Sequence, residues 1–261
     1  MTKPRKGRVE IDGVAPQSVF RVGCAGWTIP RECSASFSSE GSHLERYSRI
    51  FNCCEINSSF YRPHRKETWR RWAASVPEDF RFSVKAPRAI THESALRISQ
   101  EILSTFLEQI KCLNGKLGPI LFQLPPSLEF EQGYVRSFLR LLRGNFIGDV
   151  VCEPRHSSWF QEEADILLKD FRIARVAADP ACVVAGSQPG GFPAFAYFRL
   201  HGSPRRYYSG YSNDFLNSLA VRMRDVGKGS QAWCIFDNTA AGMAAQNALE
   251  LTSRLEKDRN E

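Results

Sequence analysis

The chain has 261 residues, of which 43% are hydrophobic and 24% are charged, and its net charge is +7. These values are typical of a globular protein with one large domain. They exclude an integral membrane protein, because no apolar run approaches the ~20 residues of a membrane-spanning helix. The first residues are basic and contain no apolar signal segment. We therefore expect a cytoplasmic protein without a membrane partner.

The N-terminal segment is more basic than the rest of the chain. Residues 1–18 contain four basic and two acidic side chains and no periodic apolar pattern. This composition predicts a flexible basic arm, followed by a single domain over residues 19–261.

The cysteine pattern argues against a thiolate metal site. Eight cysteines are present without a CxxC pair, and Cys24, Cys54, Cys152 and Cys234 lie in apolar runs. Free cysteine is among the most buried residue types. The sequence therefore predicts reduced core thiols rather than a zinc or iron–sulfur centre.

Eight strand-like runs follow the arm in chain order. They are short and rich in apolar and β-branched residues, as expected for parallel strands buried on both faces. The predicted strands cover residues 19–27, 53–60, 81–87, 118–126, 149–156, 172–180, 194–202 and 231–238.

Helical patterns occupy the intervening segments, except one. Apolar residues recur at helical spacing, and Ser42 is a plausible N-cap of the first helix. The sixth connection, residues 179–195, contains three glycines and no convincing helix. The predicted helices cover residues 42–51, 66–76, 93–113, 133–142, 157–171, 212–226 and 242–258.

Strict alternation of eight strands with seven helices predicts an α/β fold, a single (β/α)8 TIM-type barrel whose sixth helix is irregular or missing. An open doubly wound sheet is the alternative. That fold favours a glycine-rich turn after the first strand, and the GCAGW stretch contains no GxGxxG motif. The barrel is therefore preferred.

Polar residues recur at or near the C-terminal end of every predicted strand. In a barrel these ends share one rim, where active sites are built. The rim positions in strand order are Trp27; Glu55 and Asn57; Lys85; Gln123; Glu153, Arg155 and His156; Asp179; Arg199 and His201; Asp237 and Asn238.

These charges permit two interpretations. One is a self-neutralising structural network, because four carboxylates nearly balance three fixed cations at the strand ends. Buried ion pairs seldom repay their desolvation, however. A cluster of titratable groups at one rim is more typical of a ligand pocket.

The favoured function is an enzyme that acts on a small phosphate- or carboxylate-bearing substrate by general acid/base chemistry. A Schiff base on the third-strand lysine is a further, less favoured option. The predicted catalytic residues are Glu55, Lys85, Glu153 and His201. The predicted substrate-binding residues are Trp27, Asn57, Tyr61, His92, Gln123, Arg155, His156, Arg199, Tyr211, Asp237 and Asn238.

Three other functions were weighed. No cofactor is predicted, although a divalent metal on Glu55, Glu153, Asp179 and His201 is a less favoured possibility. A nucleic-acid-binding or nucleic-acid-processing barrel is the main alternative, because basic and aromatic residues alternate in SPRRYYSGYS and YRPHRKETWRR. A serine hydrolase is not expected, because no partner motif accompanies the Ser58-Ser59 pair.

The chain beyond the arm resembles the YecE-like family, domain of unknown function 72. The resemblance is carried, in order, by GCAGW, CEINSSFYR, FRFSVKAPRAITH, LGPILFQLPPS, CEPRHSSWF, FRLHG, Tyr211-Ser212 and FDNTAAGMAAQNAL. It implies a barrel fold and no established reaction. It also implies that family motif positions are occupied by Glu55, Asn57, Lys85, His92, Gln123, Glu153, Arg155, His156, Arg199, His201 and Asn238.

The segment after the first strand departs from the family pattern. Family members commonly continue with an aromatic residue, a tryptophan and an aromatic–proline pair, whereas Trp27 is followed here by TIPRECSASFSSEGSH. Pro154 likewise replaces a residue that is often aromatic. We therefore expect a remodelled first rim loop.

Overall fold

Strands and helices alternate along the chain in the computed structural model, which describes residues 19–227 and 230–257. The predicted arm, residues 1–18, lies outside the described residues. The strands are β1 (Val19–Cys24), β2 (Cys53–Ile56), β3 (Arg81–Lys85), β4 (Leu117–Gln123), β5 (Val150–Glu153), β6 (Ile173–Arg175), β7 (Ala177–Asp179), β8 (Gly190–Gly191), β9 (Phe195–Leu200) and β10 (Gln231–Phe236). The α-helices are α1 (His43–Ser48), α2 (Lys66–Ala74), α3 (Gln100–Ile110), α4 (Gln132–Asn145), α5 (Glu162–Asp170), α6 (Asn213–Gly227) and α7 (Met243–Lys257).

The strands form two sheets. One has the order β1–β10–β9–β7 and is parallel throughout. The other has the order β2–β3–β4–β5–β6 in parallel, with the short antiparallel β8 at its edge. The prediction of an α/β fold built on parallel strands is confirmed. The hydrogen bonds between the strands nevertheless form two separate sheets and not one closed barrel.

The two sheets approach each other at β1 and β2. An isolated bridge joins Ala25 to Glu55, and the Gly26 N–H donates to the Glu55 carbonyl over 2.8 Å. A Cβ on Gly23 would lie 2.1 Å from the carbonyl oxygen of Cys53. Only glycine therefore permits this approach of the two strands.

The predicted sixth strand is divided at Val176. Its first half, β6, pairs with β5, and its second half, β7, pairs with β9. The connection that follows contains a 3-10 helix at Val184–Ser187 and then β8, with no α-helix between Pro180 and Ala194. The expectation of a missing sixth helix is confirmed.

The third helix begins later than predicted. Ser99 accepts a hydrogen bond from the Ile102 N–H and caps α3, so the helix starts at Gln100 rather than near residue 93. Ala95 and Leu96 adopt positive φ values of 47° and 68°. Such values end a helix, and a short π-helix, Ala89–Glu93, occupies the preceding turn.

Apolar side chains form two clusters. The larger lies between the sheets and the helices and includes Phe51, Trp69, Phe82 and Leu103. The smaller is drawn from strands of both sheets and contains Cys53, Leu121, Val151, Ala174, Val176, Phe195, Tyr197, Trp233 and Ile235. The eight cysteines are free thiols, six of them buried, as predicted. Among the described residues, no helix combines the length and the apolar character needed to span a membrane.

Candidate active site

Arg199 lies at the centre of a buried group of charged side chains. Its Nη2 lies 2.7 Å from Glu55 Oε1 and 3.1 Å from Asp237 Oδ2, and its Nη1 lies 3.2 Å from Glu153 Oε2. All four residues are at most 6% exposed. One guanidinium therefore joins carboxylates from β2, from β5 and from the residue that follows β10.

His201 links two of these carboxylates a second time. It is 1% exposed, and its Nε2 and Nδ1 each lie 2.9 Å from a carboxylate oxygen, of Glu153 and Asp237 respectively. Arg155 donates from Nη2 to the same Glu153 oxygen over 2.8 Å. We call Glu55, Glu153, Arg155, Arg199, His201 and Asp237 the charged cluster.

The cations of the charged cluster favour the ionised forms of two of its carboxylates, Glu153 and Asp237. Burial alone would raise the pKa of Glu153, but His201 and Arg199 outweigh it and hold the pKa well below its usual value. The pKa of Asp237 is likewise lowered, because Arg199 and His201 overcome the cost of burial. Burial would lower the pKa of Arg199, yet the three carboxylates raise it well above its usual value. These shifts favour the ionised forms of Glu153, Asp237 and Arg199 at neutral pH.

A tyrosine missed by the sequence analysis lies beneath the charged cluster. The Tyr197 hydroxyl donates to Glu55 Oε2 over 2.9 Å and lies 2.9 Å from the Ser83 hydroxyl, and all three residues are fully buried. Tyr197 precedes Arg199 by two positions on β9. Side chains two apart on a strand share a face, so the alternation was the available signal.

Lys85 ends β3 next to the charged cluster but is not bonded to it. The residue is 8% exposed, and its ammonium has no hydrogen bond or ion pair within the described part of the chain. Its Nζ lies 4.1 Å from the centroid of the Phe60 ring, against which His92 packs edge-on at 4.9 Å. Burial, followed by the charge of Arg199, lowers the pKa of Lys85 to about 8.

His92 lies close enough to both Lys85 and Arg155 for their charges to act on its ring. Burial and the charges of Lys85, Arg88 and Arg155 all lower the pKa of His92, so its ring is mainly neutral at pH 7. We call Lys85, His92 and Arg155 the cationic mouth. Lys85 brings an unpaired ammonium to this group, and Arg155, although bonded to Glu153, adds a second positive charge, so the group is suited to a carboxylate or a phosphate.

Two predicted binding residues border the same region. Asn57 Nδ2 lies 3.4 Å from Asp237 Oδ1, and its buried Oδ1 has no hydrogen-bond partner in residues 19–227 and 230–257. Gln123 is 8% exposed and lies beside Glu153 in the register of β4 and β5.

Three other predicted binding residues lie away from the charged cluster. Trp27 packs edge-on against Trp72, with ring centroids 5.1 Å apart, on the helix side of the strands. Trp27 does not continue the alternation of side-chain directions along β1, because Gly26 before it has a φ of +91°. Tyr61 is 73% exposed. His156 caps a 3-10 helix, because its Nδ1 accepts from the Ser158 N–H over 3.3 Å.

Tyr211 and Asn238 act as local structural links. The Tyr211 hydroxyl donates to Asp179 Oδ1 over 2.9 Å and accepts from the Gly202 N–H over 2.8 Å. Asn238 Nδ2 donates to the Ser209 carbonyl over 2.9 Å. Asp179 and Asn238 are each offset by one residue from the positions of their strands that face inward. Their side chains therefore face the outer side of the sheet.

The metal set considered from the sequence is not assembled. Asp179 is turned toward Tyr211, whereas Glu55 and Glu153 both bond to Arg199. A guanidinium therefore stands where a divalent cation was considered. No grouping of three His, Cys, Asp or Glu side chains with metal-binding geometry occurs in the described ranges.

Comparison with known proteins places this architecture in a family. The model of the family described as "Protein of unknown function DUF72" matches residues 21–261. The chain belongs to DUF72. The resemblance inferred from the sequence motifs is thereby confirmed.

Curated relatives of the DUF72 chain come from two well-known bacteria. It is 33% identical to the UPF0759 protein YecE of Escherichia coli K12 over 140 residues, which are 53% of this chain and 49% of that protein. The chain thus spans about half the length of the E. coli relatives that it matches. It is 24% identical to the UPF0759 protein YunF of Bacillus subtilis over 90% of this chain and 94% of YunF.

Two solved DUF72 structures share the fold. A DUF72 family protein of Enterococcus faecalis superposes with a TM-score of 0.78 at 22% identity, covering 91% of this chain and 96% of that chain. One from Thermotoga maritima gives a TM-score of 0.75 at 26% identity, covering 91% and 99%. The arrangement of parallel strands and helices is therefore that of the family.

One serine–histidine contact in the DUF72 chain was not expected from its sequence. Ser58 Oγ lies 2.8 Å from His64 Nε2, a contact that no sequence motif indicated. The His64 ring packs edge-on against Trp69 and Trp72. The pair is six residues apart across the β2–α2 loop, and sequence spacing alone gave no sign of it.

Proposed function

We propose that the DUF72 chain is an enzyme that acts on a small anionic substrate at the C-terminal ends of its strands. The observation that carries the proposal is the ammonium of Lys85, a residue that is 8% exposed and makes no hydrogen bond or ion pair within the described residues. An isolated buried charge is unfavourable unless a ligand or a shifted pKa relieves it. A substrate phosphate or carboxylate would supply the missing counter-charge.

The charged cluster offers the acid/base groups for such a reaction. His201 spans Glu153 and Asp237 with two contacts of 2.9 Å, which forms a continuous path for a proton. Arg155 bonds to Glu153, and its positive charge also acts on His92. An anion held by the cationic mouth would therefore lie beside groups able to exchange protons.

We further propose that the two sheets are arcs of one eight-stranded barrel within a single domain. Support comes from the Gly26–Glu55 hydrogen bond of 2.8 Å, which bridges β1 and β2. The single residue Val176 between β6 and β7 connects the sheets on the other side. The smaller apolar cluster, which takes side chains from both sheets, would be the barrel interior.

Anion binding to the purified protein tests the proposed site. Inorganic phosphate and sulfate would be titrated by calorimetry, with thermal unfolding measured in parallel. A ligand at about 100 times its Kd stabilises the folded state by about 2.7 kcal/mol. The Lys85→Met variant should lose both the binding heat and this stabilisation. Equal binding by wild type and Lys85→Met would overturn the proposal.

Lys116→Met is the matched control for this titration. Lys116 is buried to the same extent, at 9% exposure, but its ammonium is bonded to the Pro77 carbonyl and to Glu78. Its removal changes the total charge by the same amount and should leave anion binding intact. A loss of binding in both variants would indicate an effect of net charge rather than of this site.

Nucleic-acid binding is the second candidate function, favoured by one surface loop. Tyr207 and Tyr208 are 41% and 43% exposed, and the Arg205 guanidinium lies 3.8 Å from the Tyr208 ring centroid. Exposed aromatic rings and arginines are the groups that stack on bases and neutralise phosphates. The net charge of +7 also favours binding to a nucleic acid.

Oligonucleotide binding at two salt concentrations tests this second function. A mixed single strand should bind at low salt, weaken with added salt, and lose affinity in an Arg205→Ala/Tyr208→Ala variant. Lys169, exposed in the last turn of α5 and outside both basic–aromatic runs, can be replaced as a control for general charge. The absence of binding at low salt would eliminate this candidate.

A further inference from the structure

Two lysines of this chain are buried to nearly the same extent but differ in their partners. Lys116, 9% exposed, donates to the Pro77 carbonyl over 2.8 Å and pairs with Glu78 over 3.0 Å. Lys85, 8% exposed, has neither kind of partner within the described ranges. The difference is informative because a structural lysine is expected to have its donors satisfied.

The position of Lys85 is fixed by its backbone and not by its ammonium. The Ser59 hydroxyl donates to the Lys85 carbonyl over 2.7 Å, and the next residue, Ala86, donates its N–H to Leu121 over 2.9 Å. The side chain lies on the same face of β3 as Ser83, and Nζ stands 4.1 Å from the Phe60 ring centroid. The amine is therefore held at one place with its donors available.

We infer that Lys85 is a nucleophile that forms an imine with an aldehyde or ketone group of the substrate. This inference rests on the proposed function and narrows its substrate class to a carbonyl compound that carries a carboxylate or phosphate. Amines act in this way when they are desolvated beside other cations, and the guanidinium of Arg199 lies close enough to act on the charge of Lys85. The anionic group would then bind to the remaining cations of the mouth.

The step balances without an added oxidant or reductant. The neutral Nζ donates its lone pair to the carbonyl carbon, while the C=O π electrons move to oxygen, which takes up a proton. The resulting carbinolamine loses a proton from nitrogen and its hydroxyl leaves as water once it is protonated. The products are the protonated imine and one water, with one proton taken up overall, and release of that proton gives the neutral imine. His92 is mainly neutral at pH 7 and packs on the same Phe60 ring, so it is placed to accept the proton that Lys85 releases.

Reductive trapping of the full chain tests the inference. The protein is incubated with pyruvate and sodium cyanoborohydride near pH 7, and the modified peptides are mapped by mass spectrometry. A pKa of about 8 for Lys85 gives about a hundredfold more neutral amine than an ordinary lysine at this pH. We expect the reduced adduct on Lys85 at least about tenfold faster than on the exposed Lys66, after allowing for restricted access.

Variants and a second reagent separate the possible results. Lys85→Arg should abolish the rapid adduct, and Lys116→Arg should leave it unchanged. In a parallel arm, reductive methylation with formaldehyde is run with and without phosphate. If phosphate protects Lys85 from methylation but pyruvate forms no adduct with it, the imine proposal is overturned and the proposed anion-binding site is retained. No protection and no adduct would overturn both proposals, and labelling at the rate of exposed lysines would overturn the imine.

Discussion

Glu55 and Arg199 are 144 residues apart in the chain and form a fully buried ion pair, with Nη2 and Oε1 separated by 2.7 Å. Glu55 belongs to β2 of one sheet, and Arg199 belongs to β9 of the other. The same guanidinium also contacts Glu153 and Asp237. The pair therefore connects the two sheets, and its loss would leave carboxylates buried without a counter-charge.

Replacing Arg199 by Met should destabilise the protein strongly. Breaking a buried pair by removing one partner typically costs about 3–5 kcal/mol, because the remaining charge stays desolvated. Urea unfolding at pH 7 measures this change. The double variant Glu55→Gln/Arg199→Met should recover part of the loss, since one buried carboxylate is then neutral.

An exposed pair provides the control for the Arg199 experiment. Lys111 and Glu108 lie 2.7 Å apart with side chains that are each 56% exposed. Solvent-exposed pairs contribute little to stability, so Lys111→Met should leave the unfolding midpoint nearly unchanged. Similar effects of the two substitutions would show that burial of the Arg199 pair has no special role.

Acidification should destabilise the protein through Glu153 and Asp237. Their pKa values in the folded state are lowered, below the unfolded values of about 4.3 and 3.9. The unfolded state therefore binds more protons as the pH falls through this range, so the stabilisation is complete above about pH 5 and is lost below it. Urea unfolding at a series of pH values between 3 and 7 measures the slope.

Two carboxylate variants show which group causes this dependence of stability on pH. Glu153→Gln should flatten the dependence below pH 5, because one of the two groups with a lowered pKa is removed. Glu163→Gln changes an exposed carboxylate in the first turn of α5 and should retain the wild-type slope. An unchanged slope in Glu153→Gln would contradict the assignment.

Local sequence patterns were sufficient to locate the strands. The eight apolar runs cover nine of the ten observed strands, all but the two-residue β8, and the glycine-containing sixth connection lacks an α-helix. Such patterns are read reliably because strands buried on both faces need apolar residues at successive positions. The break at Val176 and the two-sheet ladder depend on pairing between distant strands, which local patterns do not specify.

The predicted site residues that the structure brings together are those that keep the alternation of their strands. Glu55, Glu153, Arg199 and His201 meet in the charged cluster, and the step of two from Arg199 to His201 keeps both on one face. His156, Asp179 and Asn238 follow inward-facing positions by an odd number of residues, so they point elsewhere. Proximity to a strand end therefore does not identify a site residue by itself. The residue must also lie an even number of positions from one that faces inward.

Removing the hydroxyl of Tyr197 should weaken the support beneath Glu55. Tyr197→Phe deletes a donor that lies 2.9 Å from Glu55 Oε2 and contacts Ser83 at the same distance. Leaving buried polar atoms without a partner costs about 1–3 kcal/mol. The free energy of unfolding in urea should fall by that amount. Tyr134→Phe, which removes a less buried hydroxyl bonded to the Glu129 carbonyl, should have a much smaller effect.

Lys85 and Lys116 should respond in opposite directions to the same substitution. Burial lowers the folded-state pKa of Lys85 to about 8, compared with about 10.4 when unfolded. The charged form is therefore less favourable in the folded protein, and Lys85→Met should raise the free energy of unfolding at pH 7 by about 1–3 kcal/mol.

The pH dependence of the Lys85 effect follows from the same shift. Between pH 8 and pH 10.4 the unfolded state retains the proton that folded Lys85 has lost, so wild-type stability gains from rising pH over this range. The advantage of Lys85→Met should diminish accordingly when unfolding is measured at pH 7 and pH 10. Lys116→Met should instead destabilise the protein at pH 7, because it leaves the Pro77 carbonyl without its donor. Destabilisation by Lys85→Met to the same degree would show that the Lys85 ammonium has a stabilising partner after all, and would remove the reason for assigning it to a ligand.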